Sequence, residues 1–260
     1  MDLTFFAAIL HALGPHFSFP SNAEATELIT LRWIHFVSGI IWIGLLYFFN
    51  LVGFPAMKQI DAGARVKVYP VMMSRAMAWF RWSALVTVLV GLRYFWMILA
   101  TDAQNSGKPV LALHWFFEWL AVWLVAYALI YPFQLPSKGI LNNPWIRTIA
   151  IGVIVIAASW VVLNLEGGPQ SSNGHLAISV GGGLGFLMLM NTWGVVWRVQ
   201  KRLIEWTRQN AEHGTPMPPE AERLARWGYL ASRVGFWLSF PMLFFMGAAD
   251  HYPFLSSITD

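Results

Sequence analysis

The 260-residue sequence contains no cysteine, and only 12% of it is charged. Without the sulfur there can be no disulfide, no thiolate-held iron–sulfur cluster and no haem attached through a CxxCH motif, so any metal or cofactor must be held by nitrogen or oxygen. The scarcity of charge, with 57% hydrophobic residues and a mean hydropathy of +0.54, excludes an ordinary soluble domain. Also absent are internal repeats, low-complexity tracts and any linker of domain-separating composition, which points to one membrane domain over residues 1–260.

Long apolar runs, in contrast, are plentiful. Crossing about 30 Å of hydrocarbon takes roughly 20 residues at 1.5 Å each. Six runs qualify, near 28–50, 79–100, 111–133, 145–165, 175–198 and 227–249. The expected fold is therefore all-α, a polytopic transmembrane helical bundle. The opening "MDLTFFAAILHALGPHF" is too short to span and lacks a basic n-region, so 1–27 reads as an outer interfacial segment. The connections near 51–78 and 199–226 mix charges at helical spacing and read as surface helices continuing the spans. Trp33, Trp79, Trp115, Trp145 and Trp227 fall at span ends, as in an interfacial aromatic belt.

The net charge of +4 and a pI near 9.5 could suggest nucleic acid, but the distribution of cations points elsewhere. Of 17 Lys and Arg, only Arg32, Arg93 and Lys108 fall on the N-terminal side of the membrane, leaving 14 opposite. That asymmetry predicts both termini outside, the lipid bilayer as the partner, and no nucleic acid. The expected location is a bacterial inner membrane, as a multi-pass protein.

This topology gives each histidine a side. His11, His16, His35, His114, His175 and His251 gather at the outer end, and only His213 lies inside. An imidazole within a span faces a partner or a cavity more often than lipid. Nitrogen ligands from facing helices can hold a macrocycle, so His35, His175, His114 and His251 are candidate axial ligands of one or two b-type haems, with His35 and His175 the first pair. Arg32 and Arg93 would meet the propionates. Glu118, one turn below His114, could carry protons, orient that histidine or pair with Arg93, and His114 with Glu118 makes zinc or copper the rival. Gly181 and Gly185 form a small-xxx-small pair suited to close helix packing, and Pro241 should bend the last span.

The stretches "LRWIHFVSGIIWIG", "WFRW" at Trp79 to Trp82, "GHLAISVGGGLGFLMLMNTWGVVWRVQK" and "FPMLFFMGAADHYPF" resemble, in order and spacing, the membrane domain of the PuuD-type urate hydroxylases. His35, His175 and His251 fall on family histidines. The resemblance implies a membrane oxidoreductase component that passes electrons to a cytochrome c or other redox subunit outside, with quinone a further candidate. In the family pattern an acid follows the WFKW-like motif, where this chain has Ser83. A His-Asn-Asn run follows the arginine of the last span, where this chain reads "RVGFW" from Arg233. Those departures leave three readings open: a haem b electron-transfer subunit, a urate hydroxylase using a separate cytochrome c, or a cofactor-free accessory subunit.

Overall fold

The computed structural model describes residues 22–255, and six helices in it are long and apolar enough to cross a membrane. They are α1 (Ala23–Gln59), α2 (Ala62–Asn105), α3 (Leu111–Gln134), α4 (Pro144–Glu166), α5 (Asn173–His213) and α6 (Ala221–Ala248). No strand occurs among the described residues. His11, His16 and the reading of 1–21 as interfacial lie outside them, whereas residues 23–27, expected in that segment, already form the first turn of α1. The Asn22 side chain caps that turn, accepting from the Ala25 amide at 2.6 Å.

Three helices are far longer than the bilayer demands, because the polar connections continue them as expected. α2 has 44 residues and α5 has 41. The Pro-rich stretch after His213 stops α5, with Gly214 supplying the left-handed φ of 67° at its C-cap. Pro241, Pro70 and Pro132 all sit inside continuous helix. Two helices contain a π-turn, Phe48–Gly53 in α1 and Thr192–Val196 in α5.

The helices differ sharply in burial. In its most apolar stretch α5 is 72% buried, which makes it the axis of the bundle, against 17% for α4 at the rim. Ile149, Val153, Ile156 and Trp160 form an exposed stripe on α4, the lipid-facing side of a peripheral span. Close packing on α5 depends on Gly183: a Cβ there would lie 1.8 Å from Trp123 Cε2. Gly181 likewise meets Phe245 and Met246, but Gly185 faces open space, so the small-residue contact uses 181 and 183 rather than 181 and 185. Trp33, Trp79 and Trp145 are well exposed, in keeping with a belt. Trp115 is a correction, being only 6% exposed, because its ring packs on His175.

Candidate functional site

Up-and-down connection brings the starts of α1, α3 and α5 to one end of the bundle together with the finishes of α2, α4 and α6. This is the histidine end. The short segment 167–172 turns α4 back into α5, so the last residue of α4, Glu166, lies beside the first turn of α5. Ser172 caps that turn through its hydroxyl, which accepts from the His175 amide at 3.2 Å. His175 is thereby held with no exposed surface.

Both of its ring nitrogens meet carboxylates. Nδ1 lies 3.2 Å from Asp102 Oδ2 near the finish of α2, and Nε2 lies 3.2 Å from Glu166 Oε2. Asp102 also accepts from the Ser172 amide at 2.8 Å. Ser179, one turn further along α5, donates to Glu166 Oε2, while Glu166 Oε1 has no hydrogen-bond partner. The walls are aromatic: Trp115 and Phe95 have ring centres 4.8 and 6.2 Å from the imidazole. Below it the indoles of Trp119 and Trp123 donate to the Ser179 carbonyl at 2.9 and 3.1 Å.

A proton is needed on each N···O contact, so either the ring is an imidazolium or one acid is protonated. Three ionisable groups at these separations titrate as a unit. The arrangement can hold a proton shared among three groups inside an apolar enclosure, and intramembrane acids and histidines are commonly put to proton handling.

The other expected site residues are placed separately. His35 is half-buried on α1, its Nδ1 2.9 Å from the Thr87 carbonyl. Since that oxygen only accepts, Nδ1 carries the hydrogen and Nε2 keeps its lone pair. The ring lies over Gly91, where a Cβ would come within 2.9 Å of Cε1. Ser83, standing where the family pattern has an acid, is buried and bonds back to the Trp79 carbonyl at 2.7 Å.

Arg32 pairs with Asp250 and donates to the Tyr94 hydroxyl at 2.9 Å, tying α1, α2 and the segment after α6. Within the chain Arg93 has an acidic partner, but it is Glu27 of α1 rather than Glu118, met in bidentate fashion at 2.7 and 3.0 Å. The partner escaped notice because 23–27 read as interfacial rather than as helix. His114 and His251 are exposed, and Glu118 is half-buried on α3, close enough to Glu166 to act on it electrostatically. No group of three or more His, Asp or Glu suited to hold a metal ion occurs among the described residues.

A haem group would find a nitrogen donor in His35, whose Nδ1 is anchored on the Thr87 carbonyl and whose Nε2 keeps its lone pair. His175 does not fit as its opposite number, because both nitrogens are engaged by carboxylates. Asp102, Glu166, Ser179 and the role of Trp115 were missed in the sequence. The signal is in the topology, which puts Asp102 and Glu166, at the finishes of α2 and α4, level with His175 at the start of α5.

An all-α bundle of six potential spans, with a sealed acid–imidazole–acid group at one end, defines a polytopic membrane protein with a candidate proton-handling centre. Residues 60–259, well over half of the chain, match the urate oxidase N-terminal family, and the chain belongs to it. No curated protein and no solved structure matches.

Proposed function

We propose that the chain is the membrane redox component of a urate-hydroxylase-like oxidoreductase, and that Asp102, His175 and Glu166 receive the protons released as substrate is oxidised. Hydroxylation by water balances as R–H + H2O → R–OH + 2H⁺ + 2e⁻. The electrons pass to a haem b or to a cytochrome c partner at the histidine end, and the protons need a basic relay close by. The observation that carries this reading is the fully buried imidazole between two acids from different helices, an arrangement costly to bury and therefore kept for chemistry.

When bound, a b-type haem would take electrons singly, and His35 is the residue that would hold it. Arg32 and Arg93, already neutralised by Asp250 and Glu27, keep the rim of the bundle closed and its charges balanced. A cofactor-free accessory subunit is the second reading, favoured by Ser83: its hydroxyl is turned onto its own helix where the family pattern supplies an acid.

The test uses the purified chain. A pyridine haemochrome assay should give b-type haem, with urate-dependent reduction of oxidised cytochrome c, and His35→Ala should lose the haem. Asp102→Asn should retain it but shift the pH profile of reduction. A colourless preparation that reduces no cytochrome c would overturn the redox reading in favour of the accessory one. An unaltered pH profile in Asp102→Asn would remove the proton role alone.

A further inference from the structure

At the opposite end of the bundle, α2 and α5 border an open groove of about 1030 Å³ that the redox reading leaves without a purpose. Its floor is apolar, formed by Leu85, Leu189, Met190 and Trp193, and Trp197 and Trp206 stand along its side. At its mouth are Arg198, Lys201 and Arg202, three and four residues apart on one face of α5 and all exposed. None of the three has an ion-pair partner among the described residues, and the one acid lining the groove, Glu205, is engaged by Arg208 at 3.2 Å. Arg81 stands behind the aromatic wall, its guanidinium 3.8 Å from the ring centre of Trp197, with a buried Nε that has no hydrogen-bond partner.

We infer that this groove binds an anionic phospholipid, its phosphate between Arg198, Lys201 and Arg202 and an acyl chain along Leu85, Leu189, Met190 and Trp193. Charge complementarity selects the head group. A cationic mouth has no use for a zwitterionic lipid, whose own amine would lie against it, and basic pockets between spans are the kind of site that anionic head groups fill. The continuity of mouth and floor selects a lipid over a soluble anion: a free phosphate would satisfy the cations and leave the apolar trough open. The tryptophans belong at that depth, where an indole meets both acyl chain and head group. Ordinary snorkelling accounts for scattered basic residues at a membrane surface, but here three unpaired cations converge on a concavity.

The experiment is native mass spectrometry of the detergent-solubilised chain titrated with phosphatidylglycerol, phosphatidylcholine or inorganic phosphate. Retention of phosphatidylglycerol should exceed that of phosphatidylcholine. Each cation removed should lower it about fivefold, the equivalent of one charge near an anionic surface. Arg198→Gln combined with Arg202→Gln should abolish the preference, while Arg198→Lys with Arg202→Lys should keep it, and Lys58→Gln with Arg223→Gln, outside the groove, should leave it intact. Equal retention of the two lipids, a preference that survives the Gln pair, or displacement of the lipid by inorganic phosphate would each overturn the assignment.

Discussion

The two ends of the bundle treat charge in opposite ways. At the histidine end Arg32 meets Asp250, Arg93 meets Glu27, and His175 lies between Asp102 and Glu166. At the basic end Arg198, Lys201 and Arg202 face outward without an acid. The two arginine pairs stay half-exposed, and only the His175 group is buried; there pairing permits burial, because ions removed from water need compensation on the spot. An unpaired cation must keep water or a head group. The first end can therefore enclose chemistry, and the second can only meet a surface.

Orientation is the coarsest way to break the comparison. Reporter fusions after Ile140 and after the C-terminus should report opposite compartments, with the C-terminal one outside. If both report the same side, the separation of ends collapses. Next in size is His175→Ala, which strands Asp102 and Glu166 in a dry site. It should destabilise the protein by about 3–5 kcal/mol in a denaturant or thermal assay, and a loss under about 1 kcal/mol would show that the acids escape to water.

Between the ends, a comparison along α5 separates packing from charge. Gly183→Leu drives a side chain into Trp123 and should cost about 1–3 kcal/mol or more, whereas Gly185→Ala, in open space, should stay within about 0.5 kcal/mol. Arg32→Leu breaks a half-exposed ion pair and should cost about 0–1 kcal/mol, diminishing with salt. The smallest effect belongs to Arg198→Gln: in neutral detergent its melting point should match that of the parent, and a clear drop would mean that this cation is paired after all.

The spans were readable because twenty apolar residues leave few alternatives, and the continuation of α2 and α5 beyond the bilayer was readable from helical charge spacing. Helix identity is local. The site is not, and that is where reading the chain fell short. His175 was legible as important, but its neighbours Asp102 and Glu166 lie 73 and 9 residues away, and only packing reveals that they take both ring nitrogens. Trp115 read as an anchor because a tryptophan at a span end has that role on average; its burial follows from where α3 faces α5. Arg93 was expected to need an anion, with Glu118 one candidate inside the chain, yet the acid that meets it is Glu27 on a different helix.

The π-turns in α1 and α5 bear on how the two ends could have diverged. One extra residue in a turn rotates everything beyond it by about 100° around the helix axis, since 3.6 residues complete a full turn. In both helices that insertion falls between the histidine end and the basic end. Each helix thus consists of two half-helices offset around a common axis, and the offset in α5 sets how Arg198, Lys201 and Arg202 face relative to His175. Deleting Val195 should restore a plain α-helical turn and swing the three cations away from Leu85, leaving the imidazole where it is.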